Sequence, residues 1–141
     1  MESKVVWQDG MAFEAHLDGF NFTIDADSNV GGQDKGPKPK GLTLVSLAGC
    51  TAMDVISILK KMRVEPDHFE VGTEAKLAGE HPKKFTDIVV TYKFKGKDLP
   101  LDKIKRAIEL SMENYCGVSA TLKPVVNITA EIYINDQKAE A

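Results

Sequence analysis

LTLVSLAGCTAMDVISILKKM, residues 42–62, is too long for one strand and apolar nearly all round as far as Leu59. That pattern predicts a helix buried at the centre of the fold, since a surface helix would show one apolar stripe. A stretch of this length is also long enough to be tested as a membrane span. Asp54, Gly49 and several hydroxyls interrupt it, and the rest of the chain patterns as a soluble sheet, so no membrane insertion is expected. At 100° per residue, Thr43, Ser46, Cys50, Asp54, Ser57 and Lys61 fall in one narrow wedge. Cys50 therefore belongs to a polar line on an apolar cylinder, with Ser46 one turn before it and Asp54 one turn after. Two readings are open. The line is the solvent side and Cys50 an incidental small residue, as free cysteines often are. Or the line faces a crevice or a subunit interface, because it carries small side chains and none of the long charged ones of a surface helix before Lys60.

Upstream, Asp9-Gly10 and Asp18-Gly19 each separate short alternating runs: Met11, Phe13, Ala15 and Leu17, then Phe20, Phe22 and Ile24. Asp-Gly supplies the positive φ angles of a type I′ turn, so residues 4–25 are predicted to form a three-stranded antiparallel meander. Residues 26–41, ADSNVGGQDKGPKPKG, read as a long exposed loop.

Downstream, residues 69–77 (Phe69, Val71, Thr73, Ala75, Leu77) and 85–94 (Ile88, Val90, Tyr92, Phe94) alternate with period two and predict a hairpin. A helix is expected over 100–115, opened by Pro100, with Leu101, Ile104, Ile108, Met112 and Tyr115 on one face. Gly117 is read as its stop, with a short further turn before Pro124. A last strand covers 125–134, and the tail NDQKAEA is expected to fray. The order is three strands, a loop, a long helix, two strands, a helix and a strand. This is one α+β domain, residues 1–141, with mostly antiparallel strands around a buried helix.

The chain has 141 residues, 43% hydrophobic and 28% charged, with a net charge of -3. This is an ordinary soluble globule, and nothing in it forms a basic face for nucleic acid. MESKVVWQDG lacks the apolar stretch of a signal peptide, which points to the cytoplasm. In a reducing compartment two cysteines are not expected to make a permanent bridge. There is no CxxC, and His16, His68 and His81 have no ligand spacing, so no metal is expected. The second cysteine, Cys116, stands in NYCGVS. Two thiols can cycle between dithiol and disulfide if the fold brings them together, which spacing alone does not show.

GCTAMDVISILKK after a Pro-rich loop, together with YCGVSATLKP, resembles the osmotically inducible protein C / organic hydroperoxide resistance (OsmC/Ohr) superfamily, in the branch with a Gly-Cys-Thr-Ala-x-Asp helix. The resemblance implies an intertwined homodimer with both central helices buried. It implies a thiol-dependent peroxidase acting on organic hydroperoxides, without metal, flavin or haem. Cys50 would be the attacking thiolate, Cys116 would resolve the sulfenic acid as a disulfide, and an external dithiol would restore both. The peroxidases it resembles activate the first cysteine with an N-terminal arginine paired to a glutamate just after a proline. Here Pro39 is followed by Lys40, and no arginine precedes Arg63. A free thiol ionises near 8.5, and an ionised Asp54 opposes a thiolate, so without a cation the reactive form is scarce. Lys40 is the candidate substitute cation, and Asp54 the candidate acceptor for buried donors. The alternative function is a dimeric protein of this fold that binds a small hydrophobic ligand in its interfacial crevice without peroxidase activity.

Overall fold

The computed structural model describes residues 1–139. The chain divides into two compact units, Met1–Thr43 and Leu44–Ala141.

In the first unit β1 (Ser3–Asp9), β2 (Ala12–Leu17) and β3 (Phe20–Ile24) form an antiparallel meander in the order β1-β2-β3. The β2–β3 turn has positive φ at both Asp18 and Gly19, as a type I′ turn requires. The β1–β2 turn differs from expectation. Asp9 stays in the strand opposite Ala12, a register shift lies between Trp7 and Asp9, and only Gly10 of the Asp-Gly pair has positive φ. Trp7 Nε1 donates to the Gly10 carbonyl across this bulge, at 2.8 Å.

The segment after β3 is not a plain exposed loop. A 3₁₀ turn forms at Ser28–Val30, and the Asp25 carboxylate accepts the backbone N–H groups of Ala26, Gln33 and Lys35. These bonds, led by that from Gln33, hold the Asp25 carboxyl below the ordinary 3.8. A Cβ at Gly32 would collide with the Ala26 carbonyl, and one at Gly36 with that of Thr23. The two glycines are thus required by close backbone approach. The loop ends early, because the long helix α1 spans Pro39–Lys61 and starts three residues before the expected Leu42. Proline suits a first helical turn, where its missing N–H costs nothing.

In the second unit β4 (His68–Leu77) and β5 (Phe85–Lys95) form the expected hairpin, with Phe69 opposite Phe94 and Val71 opposite Tyr92. The Phe69 and Phe94 rings stack with centroids 4.5 Å apart. Ile88, Val90, Tyr92 and Phe94 point inward from β5 and are fully buried. β6 (Asn127–Ile134) pairs with β5 in parallel. The intervening helices supply the crossover that such pairing needs. It is the one parallel pair in the order β4-β5-β6-β7. β7 corrects the expectation of a frayed tail: Gln137–Ala139 folds back on β6 through Asn135 and Asp136, both at positive φ. Glu140 and Ala141 lie outside the described residues.

α1 is less enclosed within the chain than its composition predicts. Its buried residues are Leu47, Thr51, Val55 and Leu59, one line at i, i+4 spacing. Val45 and Met53 are exposed. Leu47, Val55 and Leu59 of this line pack in a core with Ile88, Val90, Tyr92, Phe94, Ile104 and Ile108. α1 is long and apolar enough to cross a membrane by length and composition, but these contacts make it a core helix.

Candidate functional site

Helix α2 is shorter than expected. It spans Leu101–Leu110 and buries Ile104, Ala107 and Ile108. A widened π turn, Ser111–Tyr115, follows and is closed by the Cys116 N–H donating to the Ser111 carbonyl at 2.7 Å. The widening breaks the 3.6-residue period, so Tyr115 is exposed rather than on the core stripe. Gly117 does not stop the helix. It is the first residue of a further helix, α3 (Gly117–Leu122), and Cys116 is its extended N-cap at φ -74°, ψ 102°. The Cys116 sulfur accepts the Ser119 N–H at 3.3 Å. The Ser119 hydroxyl donates to the carbonyls of Met112 and Cys116, and Lys123 Nζ donates to the Met112 carbonyl. The bend carrying Cys116 is therefore held from several sides.

This bend brings the thiols together. The sulfurs of Cys50 and Cys116 and a carboxylate oxygen of Asp54 all lie within 4.8 Å of one another. Both cysteines are free of a disulfide. Cys116 is 2% exposed, while Cys50 and Asp54 are half-buried. Burial pushes the Cys116 thiol above 9.0, the neighbouring Cys50 adds to the rise, and the Ser119 N–H opposes it. No positive group is among those that shift it.

Beneath the thiols lies a chain of hydroxyls. Ser111 Oγ donates to Asp54 Oδ2 at 2.9 Å. With that proton committed, Thr51 must donate to Ser111, at 2.8 Å, and Tyr92 to Thr51, at 2.7 Å. The chain runs one way, from Tyr92 through Thr51 and Ser111 to the carboxylate. Burial pushes the Tyr92 hydroxyl up to about 12. Among the described residues no buried side-chain N or O lacks a partner. Thr51, Ser111 and Tyr92 were not singled out by the sequence. Thr51 looked like part of the apolar cylinder, but a hydroxyl on its core side was the available sign.

Of the polar line, Thr43 is half-buried like Cys50 and Asp54, while Ser46, Ser57 and Lys61 are exposed. Lys40 lies in the first turn of α1 rather than in the loop.

The family profile described as OsmC-like protein matches residues 32–131. The chain belongs to the OsmC-like family. Protein YhfA of Escherichia coli K12 is 35% identical over 130 residues, covering 92% of this chain and 94% of the relative. A hypothetical protein of Aquifex aeolicus VF5 superposes with a TM-score of 0.84 at 28% identity, over 95% of each chain. The organic hydroperoxide resistance protein OhrB of Bacillus subtilis superposes with a TM-score of 0.63 at 22% identity, over 94% of this chain and 98% of its own, a likeness of fold. OsmC-like proteins are typically soluble.

Proposed function

We propose that the protein is a thiol-dependent peroxidase that reduces organic hydroperoxides through a Cys50/Cys116 dithiol–disulfide cycle. The observation that carries this reading is the meeting of both sulfurs and the Asp54 carboxylate within 4.8 Å. Accessibility supports these roles, because a peroxide would reach half-buried Cys50 before buried Cys116. The Cys50 thiolate attacks the distal peroxide oxygen, the O–O bond breaks, and the alkoxide takes a proton to leave as alcohol. Cys116 then attacks the Cys50 sulfur, the S–S bond forms, and hydroxide leaves as water with the Cys116 proton. Asp54, within 4.8 Å of both sulfurs, is the group proposed to carry both protons. An external dithiol gives two electrons and two protons to restore the pair. The family's Arg/Glu pair is not present, so slow turnover is expected.

The active form is a cytoplasmic homodimer. Proteins of this family are often dimeric, and Trp7, Phe20, Val45 and Met53 are each 65–75% exposed in the single chain, an apolar display that a partner copy would cover.

A second reading, a binder of small hydrophobic molecules, is favoured by one feature. A cavity of about 440 Å³ lies beside Asp54, lined also by Ser57, Ile58, Lys61, Leu110 and Tyr115. Exposure of Cys116→Ser to cumene hydroperoxide with a sulfenic-acid trap decides between the two. A single adduct on Cys50 supports the peroxidase. An unmodified Cys50 after prolonged exposure, with retained binding of an apolar probe, supports the binder.

A further inference from the structure

We propose that the reduced protein holds one soft divalent cation, of the zinc or cadmium class, between Cys50, Cys116 and Asp54, and that this cation shields the dithiol from oxidation. Uptake of the cation does not depend on the peroxidase reading; only its protective consequence concerns the same thiols.

The donor set is two sulfurs and one carboxylate oxygen, which suits a borderline-soft ion and not magnesium or calcium. Cys50 and Asp54 stand one turn apart on α1, and Cys116 faces them from the α3 cap. All three donor atoms lie within 4.8 Å of one another. Donors around a tetrahedral zinc stand roughly 3.5–3.8 Å apart. The remaining difference is within the range of small side-chain rotations.

The surroundings fix the donors in the way metal ligands are commonly fixed. Ser111 holds Asp54 Oδ2, with Thr51 and Tyr92 behind it, and so orients the carboxylate. The Ser119 N–H holds the Cys116 sulfur and favours its charged form. Cys116 closes the inner side of the set while half-buried Cys50 and Asp54 leave the outer side open. That leaves a fourth position for water, the arrangement of three protein ligands and one exchangeable ligand.

Binding replaces both thiol protons, which pass to solvent, and changes no oxidation state. Formation of the disulfide removes both thiolates as ligands and must release the ion. His68 and Glu70 are exposed and pair with each other at 2.7 Å, so they are the natural competing surface site, and a cysteine-specific readout is needed.

The test titrates the full-length reduced protein with Cd²⁺, following thiolate-to-metal charge-transfer absorption, and with Zn²⁺ against a chromophoric chelator. One equivalent is expected. Cys50→Ser and Cys116→Ser should lose the charge-transfer band or weaken binding about 100-fold, with Asp54→Asn and Ser111→Ala weakening it about 10-fold. Protein oxidised to the disulfide should take up none. Tyr92→Phe, which keeps the ring, covers the case in which Ser111→Ala does not fold. Absence of stoichiometric uptake by reduced wild type would overturn the proposal, as would uptake undiminished in Cys116→Ser. Zinc-loaded protein should keep both thiols longer under hydroperoxide. If metal binds but the metal-free thiols never react with peroxide, the peroxidase reading fails and the metal site stands.

Discussion

The two units of the chain use the same kinds of residue to opposite ends. Although Val45 and Met53 stand open, Leu44–Ala141 holds most of the buried apolar side chains, with Leu47, Leu59, Ile88 and Ile104 at 0% exposure, and builds its polar cluster against that core. Met1–Thr43 displays them: all of β1 is exposed, and Trp7 and Phe20 stand open. A sheet with apolar residues left in water offers surface that a partner could cover, whereas the unit with the thiols has its core in place. The lesson is that the site's stability is set within Leu44–Ala141, and the proposed dimer would draw on exposed apolar surfaces such as β1.

The sharpest way to break this contrast is to delete large side chains on each side of it. Leu59→Ala should cost about 3–5 kcal/mol in urea unfolding, by transfer and cavity terms. Trp7→Ala should change the unfolding of the isolated chain by no more than about 0.5 kcal/mol yet shift sedimentation from dimer to monomer. Equal stability losses would mean that β1 is as much a part of the core as α1.

A smaller effect follows from Tyr92. Its hydroxyl titrates at about 12 in the fold against an ordinary 10.0. Below pH 10 both states hold the proton. Between pH 10 and 12 the unfolded chain loses it first, so stability falls as pH rises, by on the order of 2–3 kcal/mol. Alkaline unfolding curves of wild type and Tyr92→Phe, which has no such proton, should diverge in that window.

Smaller again is the hydroxyl chain itself. Thr51→Val leaves Tyr92 and Ser111 each short of a partner and should cost about 1–3 kcal/mol. It should also loosen Asp54, read as faster alkylation of Cys50. A neutral Thr51→Val would show that the chain holds nothing in place.

The smallest effect lies in the first unit. Asp25 is ionised at neutral pH and titrates below 3.8. Its grip on the Gln33 and Lys35 amides is present above that value and is lost as pH falls through the folded one. Amide exchange at Gln33 and Lys35 should therefore rise on acidification beyond the intrinsic trend, and in Asp25→Ala at all pH values.

Strand alternation and the long apolar run made most of the fold legible. Ile88, Val90, Tyr92 and Phe94 follow period two without a break, and α1 is too long to be anything but a helix. The parallel β5–β6 pair was not legible, since alternation says which face is buried and not which way a neighbour runs. The π turn was hidden as well: one residue too many per turn leaves no mark in a stripe that ends there. That turn delivers Cys116 to Cys50, so the site's residue types were readable while its closure was not. The Asp25 clamp was missed for a related reason, because a buried acid bonding three amides reads in sequence as one more charge in a loop.

The most direct measurement is non-reducing peptide mapping after one equivalent of cumene hydroperoxide is added to reduced protein. The account predicts one cross-linked species joining the peptides of Cys50 and Cys116, with the loss of two hydrogens and full reversal by a dithiol. Two intact thiols would contradict it, as would a Cys50 that oxidises to sulfinic acid while Cys116 remains free.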